Sequence, residues 1–129
     1  MSVKVDVHEL AERLRDYGFA YLLTVTDDQR TRAVAVTPTA ADGALRFTDG
    51  LGRGTRANLA ARPDVTLLWP PVDASGYTLI ADGRVSVSDD DVATFVADHA
   101  VLHRPADHGA GAAGSGSACG NDCLPVGES

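Results

Sequence analysis

The sequence predicts a mainly β domain, an antiparallel barrel of six strands with flanking helices, and three observations carry that expectation. Five runs, at 19–26, 31–37, 44–48, 65–69 and 77–87, alternate apolar with polar residues or collect β-branched and aromatic ones. The last is interrupted at Asp82-Gly83, as a bulge or a hairpin turn. The connections are short, which suits antiparallel neighbours, whereas parallel crossovers need longer helical linkers than this chain provides. Finally, 129 residues with 44% hydrophobic content suffice for one sizeable core and not for two.

In chain order, the first element is a helix from Val7 to Tyr17. Asp6 and Glu9 resemble a capping box, Leu10, Ala11, Leu14 and Tyr17 recur at helical spacing, and Gly18 ends it. Phe19 to Thr26 carries apolar residues on both faces, so it belongs inside the sheet, and Asp27-Asp28-Gln29 reverses the chain. Thr31 to Thr37 has one face of Thr and Ala only. Such a face admits something flat, or packs under a bulky neighbour. Pro38 ends that strand, Ala41-Asp42-Gly43 turns, and Ala44 to Thr48 and Val65 to Trp69 flank a glycine-rich turn and a short helix beginning after Thr55. Ser88 to Asp91 is expected to cap a further helix, with Val92, Phe95, Val96, His99 and Ala100 on its apolar stripe and Pro105 at its end. From Ala106 the composition turns to Gly, Ala and Ser. Residues 1–105 therefore read as the folded domain and 106–129 as a flexible tail.

Charge narrows the function classes. A net charge of −7 argues against nucleic acid or an anionic membrane as the main partner, so any anion site must be local. No run is long and apolar enough to span a membrane, and the N-terminus lacks a signal peptide's apolar core, which points to the cytoplasm. The two cysteines, Cys119 and Cys123, are separated by three residues. With His99 and His103 they form a weak zinc pattern, set against an exposed thiol pair. We assign no metal site. No Ser/His/Asp or Cys/His arrangement is present, and no paired carboxylates share a face.

Chemistry concentrates in Gly50-Leu51-Gly52-Arg53-Gly54-Thr55-Arg56. Three glycines let backbone N–H groups face a ligand, two guanidinium forks match phosphate oxygens, and a helix N-terminus adds partial positive charge. The alternative is a solvated loop between strands. The turn is neither a Walker A sequence nor a dinucleotide-binding fingerprint.

An N-terminal helix, a hairpin with a small-residue strand, the segment LRFTDGLGRGTRANLAARPDVTLLW and a strand carrying YTLIADGRV together resemble the pyridoxamine 5'-phosphate oxidase-like split-barrel family, over about residues 6–103. Its most specific matches are Phe47-Thr48, Arg53, Thr55-Arg56, Asn58-Leu59 and Gly83. The resemblance implies a six-stranded antiparallel split β-barrel with flanking helices that binds FMN, or a deazaflavin, commonly as a homodimer with sites at the interface. It places Arg53, Thr55 and Arg56 at the cofactor phosphate and Thr48 beside the ribityl chain. Val36, Thr37 and Pro38 fall beside the ring, and Trp69 approaches from the second subunit. It further implies a flavin-dependent oxidoreductase acting on a small organic substrate, with the cofactor carrying the hard step. The alternatives are a deazaflavin-dependent reductase and a non-catalytic flavin- or haem-binding module. Many members have lysine where this chain has Arg56, and the C-terminal substrate-binding segment of the true pyridoxamine phosphate oxidases is missing, so that oxidation is not implied.

Overall fold

The computed structural model describes residues 2–105. Eight strands form one antiparallel sheet: β1 (Ser2–Val5), β2 (Ala20–Val25), β3 (Thr31–Val36), β4 (Thr39–Ala41), β5 (Ala44–Phe47), β6 (Asp64–Trp69), β7 (Thr78–Val87) and β8 (Ala93–His103). The order is β3-β2-β6-β7-β8-β5-β4, with β1 also on β8. β8 pairs with β7 along its length, with β5 through Ala93, Thr94 and Phe95, and with β1 through Ala100 to His103. The sheet curls around its own inner face into a split barrel. The strands at the two ends of that order, β3 and β4, are joined directly by Thr37-Pro38, where proline has no N–H to continue a ladder.

Period-two alternation puts Leu22, Leu67, Trp69, Leu79, Ala81 and Phe95 inside, each at most 1% exposed. One helix, α2 (Arg53–Ala61), lies against the barrel. Leu59 enters the core, and Asn58 Nδ2 donates to Thr24 Oγ1 at 3.0 Å, a buried pair that satisfies both groups. The first expected helix spans Val7 to Asp16 as two 3-10 turns around α1 (Leu10–Arg13). Its cap differs from a capping box: the Asp6 carboxylate accepts from His8 N at 2.9 Å. At its far end the Tyr17 hydroxyl donates to Tyr77 O at 2.9 Å, and partial burial raises its pKa above 10.0.

Two expectations are corrected. Residues 92–104 are not a helix. Ser88 to Asp91 forms the hairpin turn between β7 and β8, with Ser88 N donating to Val92 O at 2.9 Å and Asp91 in the left-handed region at φ 64°. The spacing of Val92, Phe95, Val96, His99 and Ala100 fits a helix, but this β-rich segment gains a ten-position pairing with β7, and tertiary pairing outweighs local preference. Of the two alternatives for the break at Asp82-Gly83, the structure has the bulge, within one strand. A Cβ at Gly83 would lie 2.3 Å from Val96 O and 2.7 Å from the Phe95 ring, so only glycine fits. The strand count is therefore eight rather than six, with the split-barrel class unchanged.

Candidate functional site

The glycine-rich turn is seated on the end of β3. Gly50 has φ 71°, and a Cβ there would meet Val36 Cγ1 at 2.6 Å and Ala35 O at 3.1 Å. Beside it, Asp49 clamps the β3–β4 link, accepting from Thr37 N at 3.0 Å and from Thr37 Oγ1 at 2.8 Å. These contacts bring Thr37 and Thr48 to one cavity of about 290 Å³, which Thr39, Arg46, Phe47 and Asp49 also line.

The helix begins earlier than the sequence suggests. Gly52, extended at φ −70° and ψ 172°, is the N-cap in place of Thr55, and the first helical bond runs from Arg56 N to Gly52 O at 3.0 Å. Arg53, Gly54 and Thr55 fill the first turn. Their N–H groups precede that bond and no side chain caps them. A Cβ at Gly52 or Gly54 would find nothing within 4 Å, so neither glycine is forced by packing. Arg53 is exposed, with no hydrogen bond or ion pair among the described residues. Such a helix end attracts anions, through aligned N–H groups and the helix dipole, and Arg53 adds a mobile fork.

The eight expected site residues divide. Thr37 and Thr48 line the cavity, Pro38 lies between its lining residues Thr37 and Thr39, and Arg53 and Thr55 stand on the first turn of α2. Arg56 is committed within the chain: its Nε donates to Leu51 O at 2.8 Å and its Nη1 pairs with Asp91 Oδ1 at 2.6 Å. It fastens the turn to the β7–β8 hairpin. Val36 is 0% exposed and Trp69 1%, so both side chains fill the barrel and neither offers a surface. Asp49 and Asp91 escaped the sequence reading. Each is a plain turn aspartate, and its partner, 12 or 35 residues away, is set by the fold.

Among the described residues no group of three His, Cys, Asp or Glu side chains could hold a metal ion, and no helix is long and apolar enough to cross a membrane. His99 lies 3.5 Å from Asp82, and His103 shares a 3.0 Å hydrogen bond with Ser2. The two histidines stand four positions apart on one strand, roughly 13 Å, too far to share an ion. Cys119 and Cys123 lie outside the described residues.

No family model matches the chain. It is 47% identical over 135 aligned positions to Uncharacterized protein Mb0449c of Mycobacterium bovis, covering 94% of each. That is more than residues 2–105 supply, so the match reaches into 106–129. Solved structures with the same fold include an F420 reductase (TM-score 0.56, 20% identity, 74% of this chain and 94% of that one). Another is an FAD-binding protein of Mesorhizobium loti (0.58, 14%, 79% and 96%). A third, from Clostridium acetobutylicum, is related to general stress protein 26 and described as of the pyridoxinephosphate oxidase family (0.60, 13%, 78% and 91%). With 94% of the Mycobacterium bovis protein aligned at 47% identity and most of each solved neighbour superposed, the chain belongs to one family with that protein and has the split-barrel fold of the pyridoxamine 5'-phosphate oxidase-like proteins.

Proposed function

We propose that the chain binds a phosphorylated flavin-type cofactor, FMN or a deazaflavin, in a homodimer, and serves as an oxidoreductase for a small organic substrate. The observation that carries this reading is the uncapped first turn of α2, with Arg53 on it, four residues along the chain from Asp49, which lines the Thr37 and Thr48 cavity and is bonded to Thr37. The donor set suits the group. Three backbone N–H groups and one guanidinium suit a phosphate, and the Thr37 and Thr48 hydroxyls suit the alcohols of a ribityl chain. Arg56, held by Asp91, positions the turn, and the exposed Thr37 with the half-buried Pro38 is the surface offered to a ring. The cofactor would supply the hydride chemistry, and the chain would bind, orient and exclude water.

The deazaflavin alternative draws support from the F420 reductase among the fold neighbours. The test is the absorbance spectrum of the full-length protein, followed by titration with FMN, a phosphorylated deazaflavin and riboflavin. Binding of a phosphorylated form well above riboflavin, and bleaching with a nicotinamide donor, is the expected result. A colourless protein that rejects all three would overturn the reading.

A further inference from the structure

A second recess lies away from the glycine-rich turn, between the first helical segment and the β4–β5 hairpin, with a volume of about 390 Å³. Its walls are Leu10 and Ala11 on one side and Ala40 and Leu45 on the other, and Phe95 and Ala97 of β8 form the floor. Leu10, Leu45 and Phe95 are core residues and almost wholly covered, so the packed interior closes the recess behind and its accessible lining includes Ala11, Ala40 and Val96. The facing alanines leave the space unfilled. Volume and lining match a small-molecule site, which is typically a few hundred Å³, apolar, and fitted with a few polar groups.

The polar groups choose the ligand. No lysine or arginine lines the recess, while the Asp42 carboxylate stands at the hairpin tip, within 4 Å of Arg46, and the His8 imidazole stands on the opposite rim. A carboxylate or phosphate would find no cation in the lining, and the nearby Arg46 is already paired with Asp42. A neutral molecule would keep its apolar body on Ala11, Ala40 and the exposed Val96 and offer a hydroxyl or carbonyl to His8, which donates and accepts.

We infer that the recess between the first helical segment and the β4–β5 hairpin is a binding site for a neutral, largely apolar small molecule of aromatic size. The site stands apart from the flavin reading, because none of its lining residues is among those assigned to the cofactor.

The test titrates the full-length protein, without added cofactor, with 2-naphthol and with 2-naphthoate at pH 7, by calorimetry and by amide chemical-shift mapping. The expected result is one 2-naphthol per chain, bound about tenfold or more tighter than 2-naphthoate, a margin of ~1.4 kcal/mol. Shifts should be concentrated at residues 8–11, 40–45 and 95–97. Ala40→Phe fills the recess from an exposed edge strand and should abolish binding. If that variant fails to fold, Ala11→Phe tests the same space from the exposed face of α1. Asp42→Asn keeps a residue tolerant of the observed φ of 51° and should narrow the gap between the two probes. Absence of saturable binding, equal affinity for the anion, or shifts confined to another surface would each overturn the inference. Flavin binding at the turn would be untouched by any of them.

Discussion

Arg53 and Arg56 stand one helical turn apart and play different parts. Arg53 projects from the uncapped start of α2, whereas Arg56 spends its guanidinium on Leu51 O and Asp91. We therefore expect Arg53→Ala to weaken FMN binding by roughly 10- to 150-fold, the loss of one charge-assisted hydrogen-bonding group at ~1.5–3 kcal/mol. Riboflavin, which lacks the phosphate, should bind variant and parent alike, and calorimetric titration of both ligands checks the pair. Arg53→Lys should recover part of the affinity, keeping charge and losing the planar fork. Arg56→Ala should act on stability instead. Its partner is half exposed, so the ion pair contributes only ~0–1 kcal/mol, read as a shift in the urea midpoint. Equal losses of FMN affinity in the two variants would contradict this division. The turn was legible as an anion-binding candidate because Gly and Arg in that order have a direct physical meaning. The division of labour was not, since Asp91 becomes a neighbour of Arg56 only after β7 and β8 pair.

At the scale of elements, two contacts position the site. Asn58 holds α2 to β2 through the Thr24 hydroxyl. Asn58→Ala leaves that hydroxyl buried without this donor and should cost about 1–3 kcal/mol of unfolding free energy. A variant as stable as the parent would show that the pair is dispensable. The Gly83 bulge is the second. Gly83→Ala drives a Cβ into backbone that has no flexible end to yield, so it should destabilise by about 1–3 kcal/mol or more, visible as a lowered Tm. An unchanged Tm would mean that β8 shifts without cost. The strands β2, β3, β5, β6 and β7 were legible because alternation and turn residues mark them. β8 was not: its spacing satisfies both periods, and the deciding partner, β7, lies across a hairpin whose Ser-Asp-Asp-Asp sequence also describes a helix cap. β1 and β4, four and three residues long, are too short to carry a period. Trp69 was readable as apolar, but only the closed sheet decides that it faces inward.

For the whole molecule, stability should vary with pH at both extremes. Hydrogen bonds hold two carboxyls below their ordinary 3.8: Asp28 chiefly through the Thr26 hydroxyl, and Asp73 chiefly through Ser75 N. A lowered carboxylate stabilises the fold above its unfolded value, and that contribution fades as pH falls through the lowered one. Tyr17 has the opposite sign. Burial raises its pKa above 10.0, so its contribution is complete below that value and fades as pH rises through the raised one. Tyr17→Phe loses the bond to Tyr77 O, at ~0.5–1.5 kcal/mol, and should also show a smaller fall in Tm between neutral pH and pH about 11. A parallel fall in both proteins would remove Tyr17 from the alkaline limb.

The same scale poses the question of how much chain the fold needs. Every buried core side chain among the described residues lies between Val5 and Ala100, and β8 completes its pairing with β1 and β7 by His103. A chain ending at Pro105 therefore keeps all the packing and ladder bonds described, along with the Thr37 cavity and the α2 N-terminus. We expect it to melt within a few degrees of the full-length protein and to bind FMN equally, because domain stability comes from the core and the ladders rather than from a Gly- and Ser-rich extension. The relatives make the comparison informative, since their similarity continues into 106–129. An unchanged melt with lost FMN binding would assign those residues to the cofactor site. A lost fold would show instead that they complete the core, and the domain boundary at 105 would have to be moved.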